Sequence, residues 1–108
     1  MSLNIPQWNI KEYFNNYSNF EILCKRYNPH IFSLQEACIK SNFNAHAPKQ
    51  YVGYFHNYDH NKRAKQGALF VHQSLQHKTL TINSNISAVA VEINLHNPIT
   101  IISVYFNY

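Results

Sequence analysis

The chain has 108 residues and a mass of 12.7 kDa, which suffices for one domain and leaves no room for two. Hydrophobic residues make up 45% of it, aromatic residues 15% and charged residues 13%, a composition that excludes intrinsic disorder. Nine Lys and Arg against five Asp and Glu give a formal net charge of +4, which permits a polyanionic partner without requiring one.

Targeting and redox signals are absent from the sequence. The first residues lack the basic and apolar regions of a secretory signal, and no window is apolar over the roughly 18 residues that a membrane span needs. We therefore expect a soluble intracellular protein, cytoplasmic or nuclear, that is not secreted and has no membrane partner. Cys24 and Cys38 form no CxxC pair, so we expect reduced, partly buried thiols rather than a disulfide framework or a zinc ribbon.

The first third of the chain predicts a strand, a helix and a second strand. Residues 3–10 are apolar and predict a short strand, whereas apolar residues in 12–27 recur at steps of three and four, the period of one helix face. Asn28 and Pro29 end this helix because proline cannot continue it. Residues 30–36 are apolar and rich in strand formers, which indicates a βαβ-like opening.

The rest of the chain predicts strands separated by loops, and the whole pattern predicts an α/β fold. From about 40 to 65 the sequence is mostly polar and indicates loop around one short strand at 51–55. The further strand candidates are residues 68–71, 86–93 and 99–106, with a weaker one at 79–82. Residues 101–106 are apolar on both faces, a pattern typical of a central strand buried between two layers.

Three polar residues stand at or near the ends of predicted strands. Asn9 ends the first strand, Glu36 ends the second, and Tyr105 comes at the end of the last. In layered α/β proteins the strand ends of one rim converge on a crevice, so polar groups there are candidates for a site. A carboxylate in such a place can hold Mg²⁺, which prefers oxygen ligands and retains several waters and substrate oxygens.

Two segments carry a family resemblance: residues 7–10, QWNI, and residues 28–36, NPHIFSLQE. With the helix between them they resemble the opening of the endonuclease/exonuclease/phosphatase superfamily, where a strand ending in Asn precedes a Leu-Gln-Glu strand ending in a metal-binding Glu. Segments at 66–71, 88–93 and 99–105 are similar in order and spacing to that family's middle strands. The pattern is most similar to the endonuclease of jockey-type non-LTR retrotransposons, and it covers the N-terminal half of that domain.

The resemblance implies a fold, an activity and roles for the three residues. The fold would be a partial four-layer α/β sandwich, with residues 1–108 forming one sheet with an outer helix and the second half of the domain missing. The activity would be that of a truncated DNA endonuclease that depends on Mg²⁺ or Mn²⁺. Glu36 would bind the metal, Asn9 would orient the metal site and the attacking water, and Tyr105 would lie against the scissile phosphate. The implied partners are DNA, the missing C-terminal half, and a reverse transcriptase domain in a parent polyprotein.

The sequence also departs from the family pattern. Ala37 replaces a Thr, Gln66 replaces the first of two glycines, and His30 replaces an acidic residue. Asn107 and Tyr108 stand where the family has prolines. The family's later Asp and His elements have no counterpart in these 108 residues, so hydrolysis by this chain alone is not expected.

Each of the three site candidates has a structural alternative. Asn9 can cap the following helix, as Asn often does. Glu36 can be a solvated carboxylate at a strand end. Tyr105 can be a half-buried aromatic residue whose hydroxyl reaches water.

The densest basic cluster consists of Lys62, Arg63 and Lys65. Such a cluster is ordinarily a solvated loop, but with the aromatic residues of segment 51–58 beside it, it predicts a surface that grips a nucleic-acid backbone. The alternative functions are therefore a non-catalytic nucleic-acid-binding or interaction module, or another phosphatase or phosphodiesterase of the same superfamily.

The chain has seven histidines, some of them closely spaced, but their spacing does not indicate a metal site. His56 and His60 lie four residues apart, and His72 and His77 lie close together, but ligands four apart require a helix and this stretch has little helical pattern. We therefore expect solvated loop histidines.

Overall fold

The computed structural model describes residues 2–39, 46–56, 65–82 and 87–105. In chain order the elements are β1 (Gln7–Asn9), α1 (Tyr13–Tyr27), β2 (Ile31–Ile39), β3 (Tyr51–Phe55), β4 (Lys65–His72), β5 (His77–Leu80), β6 (Ser87–Ile93) and β7 (Ile99–Tyr105). The strands form two sheets, one with the order β1-β2-β4-β3 and one with the order β5-β6-β7.

Helix α1 packs one apolar face on the first sheet. Tyr13, Phe20 and Cys24 are buried, and they follow one another at the spacing of a single helix face. The helix ends at Asn28, which adopts the left-handed conformation and donates its backbone N–H to the Cys24 carbonyl at 2.9 Å. Pro29 follows directly, so the local sequence stops the helix where the pattern predicts.

The first sheet begins with the parallel pair β1 and β2, which α1 connects; β2, β4 and β3 then pair antiparallel. Aromatic rings fill the layer between this sheet and the helix. The ring of Phe20 lies 5.0 Å from that of Phe32 and 4.9 Å from that of Phe70, both edge-on. The stacked rings of Tyr13 and Phe70 are 5.8 Å apart.

The second sheet is an antiparallel meander that packs on the other face of the first sheet. Ile31, Leu69 and Val71 from the first sheet contact Val91 and Ile93 from β6 in a second buried cluster. The described residues therefore form three layers, in the order helix, sheet, sheet.

The expected α/β class and outer helix are confirmed, whereas the number of sheets differs from the expectation of one. The inner face of the helix-bearing sheet is covered by the second sheet, because alternate residues of β6 present an apolar face to it. The central strand expected at residues 101–106 stays a prediction, and Phe106 lies outside the described residues. Within the described residues β7 is an edge strand, and the Ile102 side chain is 59% exposed.

The two thiols lie in different environments. Cys24 is buried in the helix face, and desolvation raises its pKa to about 12. Cys38 is exposed at the end of β2. The expectation of partly buried thiols thus holds for the first and not for the second.

Candidate metal centre at one end of the sandwich

Asn9 ends β1, whereas Glu36 lies in a bulge of the neighbouring strand β2, which continues to Ile39 rather than ending at Glu36 as the sequence predicts. Asn9 is paired with Gln35 in the parallel register, and the Ile10 backbone N–H donates to the Gln35 carbonyl at 3.0 Å. One step further, the Glu12 N–H donates to the Glu36 carbonyl at 2.9 Å. Both Asn9 and Glu36 are exposed to solvent. The structure therefore places the backbones of Asn9 and Glu36 next to each other on adjacent parallel strands.

A bulge in β2 carries Glu36. Gln35 pairs with Gly67 and Ile39 pairs with Lys65, so residues 36–38 face the single residue Gln66 across the ladder. Glu36 has a φ of 54° and Cys38 a φ of 50°, in the left-handed region that L-residues rarely adopt. Bulges redirect side chains and are frequent beside functional sites.

The loop between β1 and α1 is held by its own side-chain contacts. Asn16 Nδ2 donates to the carbonyls of Ile10 at 2.9 Å and Lys11 at 3.0 Å. Lys11 and Glu12 also have positive φ, so four of the six such non-glycine residues in the described chain lie at this end. Glu12 occupies the N-cap position without a side-chain cap bond, so Asn9 does not cap the helix.

His56 is buried between the two sheets at the same end. Its side chain is 2% exposed, its Nδ1 lies 3.2 Å from Ser87 Oγ, and its Nε2 lies 2.7 Å from Ser103 Oγ. Desolvation lowers its pKa to about 4, so the ring is neutral near pH 7. The expectation of a solvated loop histidine is wrong here, because the residue directly after β3 turns into the gap between the sheets.

Gly67 makes room for the His56 ring. A Cβ at Gly67 would lie 2.7 Å from His56 Cε1 and 2.8 Å from the Leu34 carbonyl oxygen, and the second contact involves backbone that cannot move aside. The His56 N–H donates to the Gly67 carbonyl at 2.8 Å. A glycine is therefore required at this position, while Gln66 before it is a buried polar residue.

Tyr105, the last residue of β7, reaches this end of the sandwich through its register. Tyr105 pairs with Ser87, and the Ser87 hydroxyl contacts the His56 ring. The His56 backbone N–H donates to the carbonyl of Gly67, which pairs with Gln35 of β2. The backbone of Tyr105 and the ends of β1 and β2 thus lie at one end of the molecule. We call this end, made by Asn9, Glu36, His56 and the Ser87–Tyr105 pair, the rim.

The predicted basic cluster is described only at its last member. Lys65 begins β4 opposite Ile39, so its backbone lies next to the bulge that carries Glu36. Lys62 and Arg63 fall outside the described residues, as does His60.

His72 and His77, the other two histidines of the sequence pattern within the described residues, each have their own hydrogen-bond partners. His77 is half-buried: its Nε2 lies 2.7 Å from Tyr54 Oη, and its Nδ1 donates to the Leu75 carbonyl at 2.8 Å. His72 Nδ1 lies 2.8 Å from Ser74 Oγ. Within the described ranges no three His, Cys, Asp or Glu side chains form a cluster that would hold a metal ion by themselves.

The rim nevertheless carries oxygen donors of the kind that Mg²⁺ prefers. Glu36 offers a carboxylate and Asn9 an amide oxygen, both solvent-accessible and both oxygen ligands. Mg²⁺ is commonly held by one or two carboxylates, with waters and phosphate oxygens completing its octahedron. The residues present therefore fit such an ion at the level of ligand type and access.

Sequence reasoning missed His56, although a signal for it exists. Ser87 and Ser103 occupy inward-facing positions in strands whose other inward residues are large and apolar. Buried hydroxyls need partners. Two such serines on neighbouring strands indicate a buried polar side chain between them.

Comparison with known proteins identifies the fold. No family model and no curated protein sequence matches the chain. Among solved structures, the chain is similar to the endonuclease domain of TRAS1, a telomere-specific non-LTR retrotransposon, with a TM-score of 0.73 and 18% sequence identity. The match covers 97% of this chain and 46% of that one, so the chain spans about half the length of this structural neighbour. The fold expected from the sequence resemblance is thereby confirmed.

The fold is thus an α/β sandwich similar to that of this endonuclease domain. Within the ranges described, no helix has the length and apolar character to cross a membrane.

Proposed function

We propose that the chain is the N-terminal portion of a metal-dependent endonuclease/exonuclease/phosphatase domain whose parent protein cleaves DNA. The observation that carries this proposal is the placement of Asn9 at the end of β1 beside the bulge of the parallel strand β2 that carries Glu36, in a fold similar to that of the TRAS1 endonuclease domain. The proposed substrate is a phosphodiester. The proposed parent protein is a retrotransposon polyprotein that also contains a reverse transcriptase domain.

In this proposal three residues of the rim, Asn9, Glu36 and Tyr105, each have a role in the reaction. Glu36 binds Mg²⁺ or Mn²⁺, and the Asn9 amide orients the metal site and the attacking water from the neighbouring strand. Tyr105 contacts the scissile phosphate. The bound ion would supply charge stabilisation on the phosphate oxygens and a template for in-line attack. The general base and further phosphate contacts come from the rest of the domain, so the chain alone is expected to bind rather than to hydrolyse.

Lys62, Arg63 and Lys65 are proposed to bind the DNA backbone. The position of Lys65 at the start of β4 supports this role, because it places the end of the cluster beside the bulge of Glu36. Phosphate contacts of this kind are independent of sequence and weaken with salt.

The Glu36→Gln substitution is expected to weaken Mn²⁺ binding at least about tenfold, since even outer residues of metal sites change affinity by about 10- to 100-fold. Isothermal titration calorimetry or Mn²⁺ electron paramagnetic resonance measures the affinity. Glu21→Gln is the matched control, because Glu21 is an exposed glutamate in the middle of α1 and not part of the rim. Equal Mn²⁺ affinity in wild type and Glu36→Gln would contradict the proposed metal site.

The alternative of a non-catalytic nucleic-acid-binding module makes a different prediction for the same variants. Oligonucleotide binding would then fall with salt and be indifferent to both Mn²⁺ and Glu36→Gln. The proposed function requires that part of the affinity for an oligonucleotide depends on Mn²⁺ and is lost in Glu36→Gln.

The outer face of the second sheet supports the assignment to part of a larger domain. Ile102 and Val104 are 59% and 37% exposed on it, and β7 pairs only with β6 among the described residues. An open apolar sheet edge favours pairing with another chain segment. We propose that the rest of the domain covers this face.

The isolated chain is accordingly expected to self-associate at micromolar concentrations, and Ile102→Lys is expected to shift it toward monomer, as measured by analytical ultracentrifugation. Thr100→Lys is the control, since it adds the same charge on the same strand and face at an exposed polar position. Association that is unchanged in Ile102→Lys, or reduced equally by Thr100→Lys, would speak against this surface.

A further inference from the structure

The two sheets are joined at the rim by one buried histidine. Apolar contacts dominate the rest of the interface between the sheets, whereas here the His56 ring has Ser87 Oγ on one side at 3.2 Å and Ser103 Oγ on the other at 2.7 Å. The two serines lie on β6 and β7, and the His56 backbone is bonded to β4 through Gly67. Four strands therefore meet at a single side chain.

This connection lies between the two parts of the proposed site. On one side, Gly67 is paired with Gln35, the neighbour of Glu36 in β2, and Gln35 is paired with Asn9. On the other side, Ser87 is paired with Tyr105, and Ser103 is two residues before it. The proposed metal ligands stand on the first sheet and Tyr105 on the second, so the separation of the sheets at this end sets the distance between them.

The local geometry allows His56 little freedom. Its side chain is 2% exposed, both ring nitrogens have a hydroxyl partner, and the close approach of its Cε1 to Gly67 leaves no space for a Cβ there. A buried ring with both nitrogens satisfied is fixed in orientation, since any rotation would leave a buried polar group unpaired.

A catalytic role for the pair of Ser103 and His56 does not fit the same observations. A serine hydroxyl 2.7 Å from a histidine nitrogen has the distance of a nucleophile and its base. However, Ser103 is 6% exposed and lies between the sheets, where a substrate has no access.

We propose that His56 is a positioning residue, which holds β7 and Tyr105 at a fixed distance from Asn9 and Glu36 through its hydrogen bonds to Ser87 and Ser103. The proposal rests on the proposed phosphodiester-binding site. It assigns no contact between His56 and the metal, so metal affinity and phosphodiester affinity should respond differently when the connection is cut.

The test compares two hydroxyl deletions of matched geometry. Ser103→Ala removes the 2.7 Å contact with His56, and Tyr54→Phe removes the 2.7 Å contact with His77, a second His-to-hydroxyl bond that joins the two sheets. His77 pairs with Ile93, at the opposite end of β6 from Ser87. Both variants lose one hydrogen bond between the sheets, and only the first loses it at the rim.

Three quantities are measured for each variant of the 108-residue chain: the midpoint of thermal unfolding, the affinity for Mn²⁺, and the affinity for a short DNA oligonucleotide with and without Mn²⁺. We expect Ser103→Ala to retain Mn²⁺ affinity and to lose about tenfold in Mn²⁺-dependent oligonucleotide affinity, equivalent to about 1.4 kcal/mol. Tyr54→Phe and Ser103→Ala should lower the unfolding midpoint by similar amounts. Tyr54→Phe should leave both affinities unchanged. His56→Gln, which can still reach Ser103, should bind the oligonucleotide better than His56→Phe.

The outcomes separate this inference from the proposed function. Wild-type oligonucleotide affinity in Ser103→Ala, or an equal loss in Tyr54→Phe, would overturn the positioning role while Glu36→Gln still abolishes the Mn²⁺-dependent part. If wild type itself shows no Mn²⁺-dependent oligonucleotide binding, the proposed function is overturned, and the positioning role with it.

Discussion

Replacing Phe20 with alanine is expected to lower the free energy of unfolding by about 3–5 kcal/mol. The Phe20 side chain is fully buried, and its ring contacts the rings of Tyr13, Phe32 and Phe70 at centroid distances of 4.9–6.0 Å. Removal of the ring would leave a cavity between α1 and the first sheet, where aromatic side chains fill the layer. A loss of this size is a large fraction of the stability of a typical domain, about 5–15 kcal/mol.

Phe14→Ala provides the control on the same helix. Phe14 is 45% exposed, so the same truncation removes far less buried surface and is expected to change the free energy by less than about 1 kcal/mol. Urea unfolding followed by far-ultraviolet circular dichroism measures both variants. Comparable losses in Phe14→Ala and Phe20→Ala would show that the aromatic layer is not what attaches the helix to the sheet.

Acidification from pH 6.5 to about 4 is expected to destabilise the fold by about 3 kcal/mol through His56 alone. Burial lowers the pKa of His56 from 6.5 to about 4, so between these values the unfolded chain binds a proton that the folded chain does not. Stability therefore rises with pH across this window. The contribution is complete above pH 6.5 and is lost as the pH falls through the folded-state pKa.

A comparison with His56→Gln isolates this effect from the other titrating groups. The variant should be less stable than wild type at pH 7 and should show a shallower decrease of stability between pH 6.5 and 4. The difference between the two urea-unfolding curves, followed across that range, gives the contribution of the single ring. Parallel pH profiles would mean that His56 titrates in the folded protein as it does in the unfolded chain.

Local patterns in the sequence predicted the opening of the fold well. The helix was expected at residues 12–27 and occupies 13–27, because its apolar spacing and the Asn28-Pro29 stop act over short distances. The strand candidates at 51–55 and 86–93 correspond closely to β3 and β6. The weak strand candidate at 79–82 corresponds to β5 at 77–80. The side chains of this strand are mostly exposed, so its sequence shows little alternation between apolar and polar residues.

Long-range features were not predictable in the same way. Ile101, Ile102 and Val104 place apolar side chains on both faces of β7, yet only one face is covered within the described chain, and no local pattern states what covers the other. His56 stands before a polar segment that looks like loop, and its burial depends on β6 and β7, more than thirty residues further along the chain.

The candidate site also combines features that local sequence predicts with features that it does not. The adjacency of the Asn9 and Glu36 backbones follows from the parallel βαβ order, which pairs the strands that carry them. The bulge at residues 36–38 did not follow, because neither Glu36 nor Cys38 is a residue type that signals left-handed backbone. The arrival of Tyr105 at this rim depends on the second sheet, which was not anticipated as a separate layer.

The left-handed backbone of Glu36 has a consequence for the composition of the chain. A side chain with a Cβ in this conformation costs about 1–2 kcal/mol relative to right-handed backbone, whereas glycine adopts it freely. Folding by itself would thus favour glycine at position 36, and the sequence retains an exposed glutamate there. Backbone conformation and residue type therefore conflict at Glu36, and such conflicts are common where proteins give up stability in return for chemistry.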